Sequence, residues 1–462
     1  MMDKKDFLKC QPVVMEEMLI AREKRSSIQR ELLNQYKLPL ISFTLNISGS
    51  YKTFPLAEKS FEEGKKLIRN HLRRNKILIK HEEDNSSKTG YEYYIVADNN
   101  PNFIKKLMLE IENSSLLGRI FDIDVLKEDG NKITRDEIGE TNRACILCNN
   151  MAHVCSRSRK HSQEELINKI IEIMYDYFNH KFANMCSACA CKALLYEVIT
   201  TPKPGLVDRA NNGSHKDMDI FTFIDSTSVL VPYFRDYVMT GIEFCYDEPY
   251  SVFERLRYLG MEAEDHMFRA TDNVNTQKGL IFSMGIICAV LGYLYGNHKS
   301  ITVESILDMT KIMSERVMDD FENVTINNAK TYGEKLYAYY GITGIRGEVN
   351  KGFISVKEYG LPVIENLVSR GFSLNHAGAL TLLNLIVNVK DTNIIARTDI
   401  KTLEYVQKKI NMLIEENLEN VTLDDINNID REFIIKNINP GGCADLLAIT
   451  YMLYFIKQIN HE

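Results

Sequence analysis

The 462 residues are 45% apolar and 26% charged, an ordinary balance for folded globular domains that excludes a disordered or fibrous chain. A length of this order suggests two to three domains. The net charge of −7 hides an asymmetry: residues 1–162 hold 28 Lys+Arg against 23 Asp+Glu (+5), the remainder 28 against 40 (−12), so the two parts are expected to meet different partners.

The opening stretch MMDKKDFLKCQPVVMEEMLI lacks the apolar centre of a secretory signal. Residues 13–36 have helical spacing, LPLISFTLNISG (38–49) reads as a strand, and 56–75 returns to helix. KILIK (76–80) and YEYYIVAD (91–98) are predicted strands around a polar turn, HEEDNSSKTG. A helix at 101–114 and the strand GRIFDIDVL (118–126) follow, an alternation that indicates an α/β or α+β domain. From Ser162 onward helical patterns dominate: 163–199, 219–241, 251–271, 279–296, 302–322, 356–370, 374–389, 400–417 and 443–459. The second domain is therefore expected to be all-α, with the domains at 1–162 and 163–462. Gly279 to Gly296 carries no charge, but its Ser283, its glycines and its polar flanks point to a buried core helix, with no membrane partner and a cytoplasmic protein. Ten cysteines in such a chain are expected as reduced thiols.

Asp122 and Asp124 sit two apart on a predicted strand, so both carboxylates share one face. A solvated strand face and a Mg²⁺ site that also takes a polyphosphate both satisfy this spacing. In RACILCNNMAHVCSRSRKHS (143–162), Cys145, Cys148 and Cys155 can make a zinc site with His153 or His161. The second Cys-x-x-Cys, Cys186 and Cys189, lies in a small-residue helical stretch where packing explains it. Arg157, Arg159, Lys160 and His161 form a basic cluster suited to phosphates or to a solvated linker.

Five polar, glycine-bearing loops punctuate the helical part. TPKPGLVDRANNGSHKDMD (201–219) combines stiffening prolines with Lys203, Asp208, His215, Asp217 and Asp219. TDNVNTQKGLIFSMG (271–285) places Asn275, Lys278 and Gly279 at the start of the uncharged helix, where free N–H groups and the helix dipole favour phosphate. GITGIRGEVNKGF (341–353) carries Arg346 and Glu348, DTNIIAR (391–397) carries Asp391 and Arg397, and NPGGCADLLA (439–448) sets Gly441 and Gly442 before Asp445. Each alone is explained by a cap or a turn; together they suit a nucleotide held by cations, carboxylates and helix N-termini.

Residues of about 13–162 resemble the apo-citrate lyase phosphoribosyl-dephospho-CoA transferase family, or holo-citrate lyase acyl-carrier synthase, through LPLISFTLNISG, GRIFDIDVL and RACILCNNMAHVCSRSRKHS. The resemblance implies a nucleotidyltransferase-like domain that moves a phosphoribosyl-dephospho-CoA group to a serine of the apo acyl-carrier (gamma) subunit of citrate lyase, with release of pyrophosphate. Asp122 and Asp124 then become Mg²⁺ and triphosphate ligands, and Arg119, Arg157 and Arg159 phosphate-binding residues. Residues of about 170–458 resemble the triphosphoribosyl-dephospho-CoA synthase family through PKPGLVD, GSHKDMD, NVNTQKG, GIRGE, DTNIIAR and PGGCADLLA, in that order. That resemblance implies ATP and 3′-dephospho-CoA as substrates: the 2′-hydroxyl of dephospho-CoA attacks the anomeric carbon of the ATP ribose, and adenine leaves. Asp208, Asp217 and Asp219 are then the expected Mg²⁺ ligands or bases, His215 a proton carrier, and Lys203, Lys278 and Arg346 phosphate holders, with Asp391, Arg397 and Asp445 completing the pocket. One departure stands out: the family usually has His where Gln277 stands, and a positioning role is expected there. The combined expectation is a bifunctional transferase with no nucleic-acid partner. Maturation of malonate decarboxylase and a non-catalytic CoA or nucleotide sensor are the alternatives.

Overall fold

The computed structural model describes residues 10–459 apart from 142 and 149. These fall into two compact units, Met1–Asn179 and His180–Glu462.

The first unit is built on α1 (Met15–Tyr36), β1 (Leu40–Leu45), α2 (Pro55–Arg74), β2 (Leu78–Ser87), β3 (Gly90–Asp98), α3 (Pro101–Asn113), β4 (Phe121–Leu126) and the short α4 (Ala152–Ser158). The sheet runs β2-β3-β1-β4 with every pair antiparallel, which makes the unit α+β. Period two sorts the strands. Ile41, Phe43, Tyr93, Ile95, Phe121, Ile123 and Val125 bury on one face among residues of α2 and α3. The opposite face carries Leu40, Tyr94, Val96 and Leu126 under Leu32 and Leu33 of α1, and beside them the polar Ser42, whose hydroxyl accepts from the Gln29 amide at 3.0 Å. Asp124 pairs in register with Ser42 and Asp122 with Thr44, so the two carboxylates stand on this polar face as the period requires.

The polar stretch expected as a turn, 81–90, is instead mostly strand: β2 continues to Ser87, opposite Gly90 of β3. Its side chains are mainly exposed because β2 is an edge strand packed on one side, so no apolar alternation marks it. The other edge, β4, is covered by α3. The buried Lys105 ammonium donates to the Ile123 carbonyl at 2.7 Å, and Glu112 accepts from the Ile123 N–H at 3.1 Å.

Helix α5 (Gln163–Ile199) sends Ile170, Ile173, Met174 and Phe178 into the core of the first unit. Its later residues Ala183, Cys186, Cys189, Ala190 and Leu194 belong to the core of the second. That unit continues with α6 (Ile220–Glu243), α7 (Pro249–Ala270), α8 (Lys278–Gly296), α9 (Val303–Met313), α10 (Tyr332–Tyr340), α11 (Gly344–Asn350), α12 (Leu361–Ser369), α13 (Leu374–Asn388), α14 (Thr392–Arg397), α15 (Ile400–Ile414), α16 (Leu423–Ile435) and α17 (Gly441–Ile459). Among its described residues there is no strand. Past Lys278, α8 carries no charge and is buried on all sides from Ser283 to Leu294, as a core helix should be. The pattern over 302–322 breaks after Met313, and α10, α11, α14 and α16 were not marked by apolar spacing.

Candidate active site

The loop 201–219 folds around two buried carboxylates. Asp208 accepts from the N–H groups of Lys203 (3.0 Å), Ala210 (2.7 Å) and Asn211 (3.1 Å). Asp430 of α16 accepts from the Gly205 N–H and the Asn211 amide, both at 2.8 Å. Gly205 has φ +72°, and a Cβ there would lie 2.1 Å from the Ile438 carbonyl oxygen, so the close approach needs glycine. These bonds hold the loop against the turn before α17.

Both segments then face a cavity of about 770 Å³, within the range of small-molecule sites. Five cationic side chains line it (Lys203, Lys278, Lys351, Lys390, Arg397), with five carboxylates (Glu197, Asp217, Glu348, Asp391, Asp445). The first residues of α8 and of α17 also line it, so two long helices turn their positive ends toward one space. Lys203 is 1% exposed and forms an ion pair with Glu197, which is 3% exposed. Burial pushes the Glu197 carboxyl up, and Lys203 opposes that rise.

Asp391 is a clamp. One oxygen caps α14 through the N–H groups of Asn393 (2.8 Å) and Ile394 (3.2 Å), and the other accepts from the Cys443 N–H at 2.7 Å, tying the start of α17 to that loop. Glu348 is held by the Ser355 hydroxyl at 2.6 Å and N–H at 3.1 Å. Asp445, one turn into α17, has no hydrogen bond or ion pair to its carboxylate among the described residues. Burial raises its carboxyl well above the usual range, and the nearby charges of Glu197 and Asp391 raise it further. A Cβ on Gly279 would lie 2.2 Å from Asp445 Oδ2, so this glycine lets the start of α8 reach the carboxylate.

His215 is bracketed. The Asn439 amide nitrogen donates to the Gly205 carbonyl at 3.1 Å and lies 2.8 Å from His215 Nε2, while the Arg397 guanidinium, also a donor, comes within 3.1 Å of Nδ1. Nδ1 stands 3.5 Å from Asp217. Burial and the Arg397 guanidinium lower the His215 pKa, and Asp217 partly opposes them. These influences favour the neutral ring, and donors face both of its nitrogens, which suits a positioning role beside Asp217 better than removing a proton.

In the first unit, Asp122 is exposed on β4, and Asp124 beside it pairs with Lys132. Arg119 donates to the Ala144 carbonyl and Arg143 to the Phe121 carbonyl, both at 2.7 Å, so the segment after residue 142 is tied to the base of β4. Arg157 and Arg159 lie exposed at the end of α4.

Two family profiles match this chain: apo-citrate lyase phosphoribosyl-dephospho-CoA transferase over residues 13–177, and ATP:dephospho-CoA triphosphoribosyl transferase over 183–462. Protein CitXG of Haemophilus influenzae is 32% identical over 455 residues, covering 96% of each chain. Protein CitXG of Leuconostoc mesenteroides is 33% identical over 453 residues, covering 94% of this chain and 95% of its own. The chain belongs to the CitXG family. It joins a triphosphoribosyl-dephospho-CoA synthase to an apo-citrate lyase phosphoribosyl-dephospho-CoA transferase, a pairing that serves the citrate lyase prosthetic group. The 2-(5″-triphosphoribosyl)-3′-dephosphocoenzyme-A synthase of Haemophilus ducreyi is 35% identical over 336 residues, covering 68% of this chain and 99% of its own.

Within this chain, the cavity brings together Lys203, His215, Asp217, Asn275, Lys278, Gly279, Glu348, Asp391, Arg397, Gly441, Gly442 and Asp445. Asp208, Asp219 and Arg346 are not part of its lining. Asp208 is committed to the loop, Asp219 caps α6 through the Thr222 N–H at 2.9 Å, and Arg346 pairs with Asp320 at 2.6 Å. Gln277 is 1% exposed and bonds Ser226 (2.6 Å) and Thr227 (3.2 Å) behind the lining, where it positions α8 against α6. Sequence reasoning missed Glu197 and Asn439. Glu197 left one signal, a lone charge in the apolar run ALLYEVIT.

Proposed function

We propose that the helical unit forms 2′-(5″-triphosphoribosyl)-3′-dephospho-CoA in the 770 Å³ cavity, and that residues 1–162 transfer it to the acyl-carrier subunit in the cytoplasm. The observation that carries this reading is the gathering of five cations and five carboxylates around one space into which two helix N-termini open. Triphosphate needs the cations and the helix ends. The anomeric carbon, which becomes positive as adenine leaves, needs the carboxylates. Asp445 is assigned as the base that accepts the proton of the attacking 2′-hydroxyl, because its raised pKa and lack of a cation partner leave it ready to take one. Lys203, Lys278 and Arg397 hold phosphate oxygens, Glu348 and Asp391 fix the loops, and His215 orients Asp217. Mg²⁺ accompanying the triphosphate would neutralise phosphate charge and takes oxygen ligands, which Asp217 offers from the cavity with a side chain that is 63% exposed. Asp219 fits that role less well, since one of its oxygens is spent on Thr222.

In the first unit, Asp122 and Asp124 on the polar face of β4 fit Mg²⁺ and triphosphate in the manner of nucleotidyltransferases, and Arg119, Arg157 and Arg159 supply positive charge. The +5 balance of residues 1–162 would favour encounter with an acidic carrier. The citrate lyase assignment is preferred to malonate decarboxylase because residues 13–177 match the citrate lyase profile.

Gly279→Ala is expected to slow adenine release about 100-fold, since its Cβ would displace the Asp445 carboxylate by the order of an ångström. Circular dichroism should be unchanged; a wild-type rate would remove Asp445 from the reaction. The two-step reading is tested by mass spectrometry of apo carrier protein incubated with ATP, dephospho-CoA, Mg²⁺ and the full chain. Asp124→Asn should leave adenine release intact and cut carrier labelling roughly 10²- to 10³-fold. Carrier labelled at the wild-type rate by this variant would sink the assignment of the first unit.

A further inference from the structure

The three cysteines of residues 143–162 have no part in either step above, yet all of them converge. Sγ of Cys145, Cys148 and Cys155 and a ring nitrogen of His161 all lie within 4.8 Å of one another. Cys148 Sγ is 3.4 Å from Cys155 Sγ and 3.2 Å from His161 Nε2. A sulfur pair at 3.4 Å is far outside the covalent S–S distance of about 2.0 Å. Tetrahedral Zn²⁺ with bonds of roughly 2.0 to 2.3 Å sets its ligand atoms about 3.6 to 3.8 Å apart, a spacing these side chains reach with sub-ångström shifts. His153, the other histidine of the segment, is exposed and outside the cluster.

We propose that Cys145, Cys148, Cys155 and His161 bind one structural Zn²⁺ that serves as the core of residues 139–162. Among the described residues of that segment, Cys145 and Cys155 are the only buried ones. A segment with two buried side chains cannot hold one conformation by apolar burial, and a metal can supply the missing free energy. The backbone is already shaped for it. The Cys145 N–H donates to the Asn150 carbonyl at 2.5 Å, a bridge pairs Ala144 with Met151, and the turn between them puts Cys145 and Cys148 on one side. Three thiolates and a neutral imidazole leave Zn²⁺ with a net charge of −1, and Lys160 Nζ, 3.7 Å from Cys148 Sγ, offsets it. Four protein ligands fill a tetrahedral shell, so the metal is structural and has no open position for a substrate. Soft thiolates with imidazole select zinc over the hard Mg²⁺ of the phosphate sites. The metal would fix Arg157 and Arg159, which lie between the third and fourth ligands, while Arg143 and Ala144 tie the same segment to β4.

Elemental analysis of the full chain, purified without a metal-affinity tag and under reducing conditions, should find one zinc per chain. Exchange for Co²⁺ should give the visible absorption of a tetrahedral thiolate site. Cys148→Ser and Cys155→Ser should each weaken zinc retention at least as much as loss of an outer-shell partner does, about 10- to 100-fold, while Cys191→Ser should keep the metal. Because the wild-type stoichiometry is itself decisive, poor folding of a variant cannot rescue the idea. Failure of the reduced wild-type chain to retain or take up zinc overturns it. So does zinc held equally well by Cys148→Ser.

Discussion

Asp445→Asn is expected to lower kcat/KM for adenine release about 10²- to 10⁴-fold, the range of a lost general base, while leaving the fold as stable as before or more so. The two effects share one cause. Burial and the charges of Glu197 and Asp391 raise the Asp445 pKa in the folded chain, so at neutral pH the unfolded chain holds fewer protons on this group and folding is opposed. Asparagine removes that opposition together with the base, the usual trade between stability and activity at a reactive site. The pH profile follows with a definite sign. The basic form of Asp445 exists only above its raised pKa, so wild-type kcat/KM should fall as pH drops through a value above the ordinary carboxylate range. The Asn variant should lose that limb. If its residual rate keeps the same acid limb, or its Tm drops sharply, Asp445 is a structural group and another carboxylate does the chemistry.

Much of this arrangement was legible before any coordinates. The Asp-x-Asp strand was readable because period two leaves no choice about which face Asp122 and Asp124 share, and β4 pairs with β1 on that register. The glycine-bearing loops were readable because few structural reasons gather glycines, cations and carboxylates between apolar helices, and residues of all five loops line one cavity. What composition cannot say is which carboxylate turns outward. Asp208 and Asp217 stand nine residues apart in one loop, yet one is a buried acceptor for three N–H groups and the other lines the cavity. A capping aspartate such as Asp219 and a ligand have the same sequence signature.

The edge strand β2 was hidden by its polarity, since only one of its faces packs. Helix α5 illustrates a different blind spot. Its apolar spacing runs unbroken from residue 163 to 199, so nothing in the periodicity marks the point near residue 180 where its side chains change from one core to the other. Glu197 was overlooked for a related reason: an apolar helical run reads as core, and its partner Lys203 lies six residues on, past the end of α5. That pair is where sequence and structure diverge most in consequence.

Lys203→Met should destabilise the helical unit by about 3–5 kcal/mol, the penalty for stranding one member of a buried ion pair. With both groups nearly inaccessible, water cannot replace the lost ammonium at Glu197. The penalty should depend on pH. Burial already raises the Glu197 pKa, and removing Lys203 takes away the main influence opposing that rise. The single variant should therefore be least destabilised in mild acid, where Glu197 folds protonated, and progressively more so as pH rises. Adding Glu197→Leu removes the stranded charge, so the double variant should regain most of the lost stability, as apolar replacements of buried pairs often do. Its activity should not return, because the cation assigned to the triphosphate is still missing from the cavity wall. Stability and turnover thus part company in the double variant, and this separates the two roles of Lys203. A double variant that recovers both makes the pair purely architectural and shifts triphosphate binding to Lys278 and Arg397. A double variant that recovers neither means Glu197 acts on the substrate in its own right.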